Sequence, residues 1–335
     1  MHKLLKTKWA LLIIILFIAF SCIDEDLSEC PSGLSVGFTY NLYNEDMEYA
    51  DAFNNAVSEI TLFVFDEEDN YISQYTEAGD ILNQNGYRME VCCLPSGSYQ
   101  LLAWGGIDNK SFASKELKVG VSKLSDVLVT LNTMKDAISN TNLTPLFYGR
   151  AKLDNYRKSK YTKVEVPLVK NTNTFRILLQ NDDNEEINPD AFTFEIIDKN
   201  TALNSDNGLA SDIEVTYLSF AQGNASINDE QGVNQQINTV VFAELSTSKL
   251  FANNSKTARL RIYNKDQERE ILNLPLIELV LMMKNDKFSK SLSNQIYLDR
   301  IHSFYMTFFL HNDNWMKTHI IVNDWVVRFN EIGDL

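Results

Sequence analysis

From Leu34 onward, apolar and polar residues alternate in short runs, each closed by turn-forming residues. Leu34–Leu42 predicts a strand, and Val57–Phe65 (VSEITLFVF) predicts a second. Asp66–Asn70 supplies a hairpin turn before Tyr71–Tyr75, and Asn85-Gly86 signals another hairpin before Tyr87–Leu94. Pro95-Ser96-Gly97 turns the chain into Tyr99–Trp104, which ends at Gly105-Gly106. Leu117–Val121, Val127–Leu131, Leu146–Ala151 and Tyr161–Val169 continue the series, and only the Asp51–Val57 region reads as helical here. A polar break at Lys170-Asn171-Thr172-Asn173 separates this series from a second one. Its strands are Phe175–Leu179, Phe192–Ile197, Ile213–Phe220, Thr239–Leu245 and Ala258–Tyr263. Asn181–Pro189 reads as an acidic loop and Ala221–Gln236 as a loose polar one. Leu276–Lys284 (LIELVLMMK) is the best helix of this part, with Pro275 at its start where proline is tolerated. So short an apolar run also fits a buried strand. Two long strands, Ile301–His311 and His319–Phe329, end the pattern.

Many short strands with frequent turn signals predict an all-β chain of antiparallel sandwich or barrel type. No repeat of fixed period is visible, although both series share the same β character.

The first 30 residues follow a different rule. Lys3, Lys6 and Lys8 precede the uncharged apolar run Trp9–Phe20, and Ser21-Cys22 leads into Ile23-Asp24-Glu25-Asp26. A basic start, an apolar segment of about a dozen residues and a small residue before the cut mark an export signal. The run is short for a membrane-spanning helix, which needs roughly 20 residues. A cysteine directly after the small residue points to a bacterial lipoprotein signal, with Cys22 as the acylated first residue of the mature chain. Ala19 and Phe20 depart from the usual residues there, and an ordinary signal with Cys22 as bystander is the competing reading. Two or more acyl chains hold a protein stably on a membrane, at about 0.8 kcal/mol per buried CH₂. The expected segments are a signal at 1–21, an acidic tether at 22–33, and β-sandwich domains at 34–169 and 170–335. The mature length of about 314 residues suits two such domains.

Charge and cysteine content narrow the partners. The chain carries −15, and removing residues 1–21 takes away three Lys and no acid, which leaves 27 basic against 45 acidic residues. Nucleic acid is therefore excluded as a partner, since that affinity rests on a basic footprint. With 44% hydrophobic and 11% aromatic residues, the acidity is not the mark of disorder. If Cys22 is acylated, Cys30, Cys92 and Cys93 remain. Adjacent cysteines on a strand point to opposite faces and cannot easily join. A disulfide from Cys30 to Cys93 or to Cys92 is the expectation in an exported chain, with three free thiols as the alternative. The alternation of Tyr87–Cys93 puts Cys93 on the apolar face and Cys92 beside Arg88 and Glu90.

Candidate chemistry is thin. Trp104-Gly105-Gly106 lacks the spacing of a phosphate loop and reads as a strand-end turn. Asp182–Glu186 lacks the sharp-turn glycine of an EF-hand and reads as a solvated loop. His302, His311 and His319 match no ligand spacing, and Asp299-Arg300 reads as a structural ion pair. No serine sits in a nucleophile elbow, and no carboxylate pair suggests a glycoside hydrolase. No catalytic, cofactor or metal residues are assigned. Phe63, Phe65, Tyr99, Trp104, Phe308 and Trp325 read as core aromatics.

A series of short motifs carries a resemblance. Asp26-Leu27-Ser28-Glu29-Cys30-Pro31 follows the lipid cysteine, and then come Val64-Phe65-Asp66, Leu94-Pro95-x-Gly97-x-Tyr99 and Ala103-Trp104-Gly105-Gly106. Gln295-x-x-Leu298-Asp299-Arg300 with Tyr305, and Ile320–Trp325 (IIVNDW), close the series. In this order the chain resembles the lipoprotein anchors of the major and minor fimbriae of Bacteroidetes, and related fimbrial subunits. The resemblance implies two tandem transthyretin-like β-sandwiches, with the short helix in the second. It also implies a lipid-anchored outer-membrane protein that holds or terminates a surface fimbria and so supports adhesion and biofilm. Its partner would be a fimbrial shaft subunit, joined by strand addition. Asp24, Glu25 and Asp26 resemble the surface-export signal of lipoproteins in that phylum. A surface glycan- or peptide-binding lipoprotein is the alternative function.

Overall fold

A computed structural model describes residues 33–44, 47–181, 186–227, 238–284, 289–311, 314–322 and 325–327. The first half holds β1 (Gly33–Asn44), β2 (Met47–Asp51), α1 (Phe53–Ala56), β3 (Glu59–Asp66), β4 (Tyr71–Ala78), β5 (Arg88–Val91) and β6 (Gly97–Gly105). It continues with β7 (Phe112–Ser114), β8 (Leu128–Leu131), β9 (Ile138–Ser139), β10 (Phe147–Tyr156) and β11 (Tyr161–Lys170). The second half holds β12 (Asn173–Asn181), β13 (Phe192–Asp198), β14 (Ala202–Asn204), β15 (Val215–Leu218), β16 (Ala221–Ile227) and β17 (Asn238–Thr247). After these come β18 (Arg259–Asn264), β19 (Arg269–Pro275), α2 (Leu276–Leu281), α3 (Asn294–Leu298), β20 (Ser303–His311), β21 (Asn314–Val322) and β22 (Trp325–Val327). The chain is all-β, as its alternation predicts.

In the first half, eight strands join in the order β2-β1-β11-β10-β6-β3-β4, with β5 on the free side of β1. This sheet turns a corner. β10 and β11 pair only from Phe147↔Lys170 to Gly149↔Leu168, after which β10 follows β6 and β11 follows β1. The two layers enclose a core of Leu34, Val36, Phe38, Ile60, Leu62, Val64, Leu101, Ala103 and Val166. Phe53 of α1 stacks between Phe38 and Tyr87, with ring centroids 5.6 and 5.9 Å apart, and closes one side of it.

The second half is a sandwich of two sheets, β16-β17-β12-β20-β21-β22 and β19-β18-β13-β15-β9. Strict alternation supplies its core: Phe175, Ile177 and Leu179 face Phe194, Ile196, Leu260 and Ile262. The halves exchange strands, for β9 pairs in parallel with β15 and β14 pairs with β8. Their hydrophobic core is continuous across the joint, from Phe63, Phe65, Leu102 and Trp104 through Val129 and Leu146 to Tyr217 and Leu245. Polar bonds reinforce it: Tyr148 Oη donates to the Ser205 carbonyl at 3.0 Å, and Asn171 and Asn207 exchange side-chain amide bonds of 2.7 and 3.2 Å.

The halves also repeat one pattern of pairing. In the first, β1 lies between antiparallel β5 and parallel β11. In the second, β12 lies between antiparallel β17 and parallel β20.

Several elements differ from the sequence reading. Gly86 does turn the chain, at φ +74°, but β5 then pairs with β1 rather than folding back on β4. Leu117–Val121 is not a strand: Gly120 takes φ +74°, Leu117 is buried and Val119 and Val121 are exposed. The stretch from Ala221 forms strand β16, because its small residues fit against the Phe242 ring and its backbone completes a ladder with β17. Residues 228–236 of that expected loop lie outside the described part. The expected strand His319–Phe329 divides between β21 and β22, which pair antiparallel with Val322 opposite Trp325, and its residues 323–324 and 328–329 lie outside the described part. β7 and β19 were not legible in the alternation. Leu276–Leu281 is helical, with Leu276, Ile277, Leu279 and Val280 buried, and Pro275 ends β19 immediately before it.

Gly106 turns the chain out of β6 at φ +83°, and a Cβ there would lie 2.1 Å from the Pro145 carbonyl oxygen. Gly120 shares the positive φ but has open space around it. Gly106→Ala is expected to lower stability by at least about 2 kcal/mol and Gly120→Ala by about 1 kcal/mol. Urea unfolding of the two variants checks this. Equal losses would show that the close approach to Pro145 is relieved at no cost.

Candidate functional site

Three regions gather the residues that could act: the N-terminal end of β1 at Gly33, the outer face of the six-stranded sheet, and the polar joint between the halves.

The N-terminal end of β1 is at Gly33, whose N–H donates to the Lys160 carbonyl at 3.5 Å beside the start of β11. The register Leu34↔Val91 sets the end of β5 at this same place. Cys92 and Cys93 follow directly and are both exposed, and Tyr75 Oη donates to the Cys92 carbonyl at 3.0 Å. Cys93 is therefore not on the apolar face. The strand ends at Val91, and Cys93 takes φ +69°, which breaks the alternation that would have turned it inward. Cys22 and Cys30 lie outside the described residues. β11 carries the chain from this end to Lys170, ten residues and about 30 Å away, before the second half begins.

Arg88 of β5 spans the N-terminal end of β1. Its Nε donates to Ser35 Oγ at 2.9 Å, and its Nη2 donates to the carbonyls of Ser35 at 3.0 Å and Val164 at 2.9 Å. Its Nη1 pairs with Glu165 of β11. Gly37 makes room for this clasp, since a Cβ there would meet both side chains. The guanidinium thus crosses β1 and covers Ser35, which is fully buried although it lies on the outer face. No local pattern reveals this, because Arg88 and Glu165 are 77 residues apart.

The six-stranded sheet carries an apolar groove on its outer face. Arg176 and Leu178 of β12, Val240, Phe242 and Glu244 of β17, and Ala225 of β16 line about 440 Å³. Arg176 pairs with Glu244 and lies 6.0 Å from the exposed Tyr305 ring. Phe242 packs over Gly223 of the edge strand. The opposite sheet differs: its outer face carries Arg261 between Glu195 at 3.5 Å and Glu270 at 2.9 Å. β16 ends the six-stranded sheet with the sequence AQGNASI, which has no charge and no proline. Those are two of the devices that usually keep an edge strand from pairing with another chain.

The joint is rich in buried polar groups. Lys249 pairs with Asp299 at 3.2 Å, and Gln295 donates to the Leu250 carbonyl and to Asp299, so the Gln295–Arg300 motif fixes a loop. Burial pushes the Lys249 amine down, against the opposing pull of Asp299, and it also pushes Lys170 down. Burial, helped by these two lysines, lowers His302 to about 3, so its imidazole is neutral. His302 and His311 stand at opposite ends of β20, and the side chain of His319 is outside the described part. Phe63, Phe65, Tyr99, Trp104 and Phe308 are core residues as expected, while the side chain of Trp325 is not described. Trp104-Gly105-Gly106 is a strand end and turn. Residues 182–185 of the acidic loop lie outside the described residues. Among the described residues, no three of His, Cys, Asp and Glu converge as metal ligands.

Residues 27–331 match the family of fimbrillin-A associated anchor proteins Mfa1 and Mfa2. No curated protein matches the chain. Among solved structures, a candidate adhesin from Bacteroides thetaiotaomicron is 36% identical, with a TM-score of 0.80 over 90% of this chain and 99% of that one. A protein from the same organism, described as a candidate polysaccharide-binding protein, is 29% identical, with a TM-score of 0.76 over 90% and 99%. The fimbrial anchor protein Mfa2 from Porphyromonas gingivalis is 18% identical and shares the fold, with a TM-score of 0.66 over 89% and 99%.

Asp198 is fully buried, accepts from Asn254 Nδ2 at 2.8 Å and from the Lys199 N–H at 2.7 Å, and leaves Oδ2 without a partner among the described residues. Burial raises its carboxyl to about 6, more than those two bonds lower it. Its favourable contribution is therefore intact below pH ~4, the unfolded value, and is lost as pH rises through 6, at most about 3 kcal/mol. The stability of Asp198→Asn relative to the parent should improve by about 2 kcal/mol between pH 4.5 and 7.5. Parallel profiles in chemical denaturation would show that Asp198 ionises freely in the folded protein.

Proposed function

The chain belongs to the family of fimbrillin-A associated anchor proteins, and on that premise we propose that it is the lipid-anchored base of a surface fimbria. Membership across residues 27–331 is the observation that carries this reading. Cys22 is the acylated residue, and the acidic tether leads from the outer membrane to Gly33. Cys30 bonds to Cys92 or Cys93, because the tether joins beside both of them. The chain comprises two transthyretin-like sandwiches, 34–169 and 170–335, a division supported by the repeated pairing of β1 and β12. The role is structural and needs no catalytic group or cofactor.

The fimbrial shaft subunit adds a strand along β16 and rests side chains in the groove of Leu178, Val240 and Phe242. An uncharged edge beside an apolar trench of about 440 Å³ supports this placement. Main-chain bonds then supply affinity and the trench supplies specificity. Anchor and partner thus occupy opposite ends of the chain's path, and adhesion and biofilm follow from a fimbria retained on the cell. A second reading, a glycan-binding surface lipoprotein, draws on the same groove, on exposed Tyr305 and on the description of the 29% identical relative.

Two measurements test the proposal. Cells fed a labelled fatty acid should label the parent protein but not Cys22→Ala, and the variant cells should shed fimbriae into the medium. Label and fimbriae retained on Cys22→Ala cells would overturn the anchor. Phe242→Glu should weaken binding of the purified shaft subunit tenfold or more while leaving the circular dichroism unchanged. Unchanged subunit binding, with loss of oligosaccharide binding instead, would favour the glycan reading.

A further inference from the structure

A fimbria held on a cell is pulled, and the pairing of β1 fixes how that pull enters the fold. The tether joins the N-terminal end of β1 at Gly33. The second half leaves from the C-terminal end of β11, at Lys170. The two strands are parallel and paired over eight positions, from Gly33↔Tyr161 to Tyr40↔Leu168. Tension between the tether and the second half therefore acts on opposite ends of one ladder. Ladder bonds lie across the strands, so such a pull loads them together, sideways, instead of opening them one after another.

We propose that β1 is the tension-carrying strand of this protein: a shear clamp formed with β11 on one side and β5 on the other, and locked by Arg88. β5 flanks β1 over Leu34–Gly37, so drawing β1 out toward the tether must slide two ladders at once. Arg88 reaches from β5 over Gly37 to Val164 and Glu165 of β11, and ties the three strands at the end where the force enters. The side chains beneath Leu34, Val36, Phe38 and Tyr40 are buried in the core and resist the same movement. The inference rests on the anchoring reading only for the source of the tension.

The test is single-molecule pulling of the mature chain, residues 22–335. In one geometry the handles are before Cys22 and after Leu335. In the other they are before Cys22 and at exposed Ser159, in the turn that precedes β11. The second geometry pulls the same ends of β1 and β11 apart and unzips the ladder, with no change to any clamp residue. The first half, identified by the length of chain released, should unfold at severalfold higher force in the first geometry. Arg88→Met should lower that force by more than it lowers the unzipping force. Equal forces in the two geometries would overturn the clamp, and an unchanged force for Arg88→Met would remove Arg88 from it. A weak clamp in a protein whose Cys22→Ala cells shed fimbriae would overturn this inference and leave the anchor role intact.

Discussion

The fold depends on two strands that are apolar on both faces. β3 and β6 turn Ile60, Leu62, Val64, Leu101 and Ala103 into the first core and Phe63, Phe65, Leu102 and Trp104 the other way. Burying one such side chain contributes about 1.5–3 kcal/mol, so the second face cannot be left to water. The segment from Ile107 to Leu146 covers it, and the core of the second half continues from that cover. The exchanged strands β9 and β14 follow from the same need, because each satisfies backbone groups at the edge where the halves meet.

Strand positions were legible in the sequence in strands with one face buried and the other wet, such as β12 (TFRILLQ) and β13 (FTFEIID). Alternation failed where side chains are small, in β16, or where a positive φ breaks the strand, as at Gly120 and Cys93. Partners were a different matter. Period-2 patterning says which face is buried but not which strand lies alongside, so the pairing of β5 with β1 and the repeated pairing of the halves were invisible. Arg88, Glu165, Asp198 and Lys249 matter through neighbours far along the chain, and composition alone does not single them out. The motif series did predict the family, and the motifs lie at structural points: Trp104-Gly105-Gly106 where β6 meets the joint, and Gln295–Arg300 where α3 fixes the Leu250 loop.

In the proposed role the protein only has to hold, and a holding protein needs few chemical groups. Neutral His302 and paired Lys249 are among the buried polar groups of the joint. Among the described residues, an uncharged edge strand and an apolar trench lie on one outer face, while the opposite one carries Arg261 paired with Glu195 and Glu270. The N-terminal end of β1 at Gly33 and the trench are separated along the chain by the whole length of β11, so in the proposed role attachment to the membrane and attachment to a fimbria would not compete for one surface.

That separation is the centre of the account, and hydrogen–deuterium exchange tests it directly. The mature chain would be measured alone and with the purified shaft subunit. Protection gained over β16 and β17, with the β1–β5 end near Gly33 unchanged, is the predicted result. Protection gained around Gly33 and Cys92, or none anywhere in the second half, would contradict it.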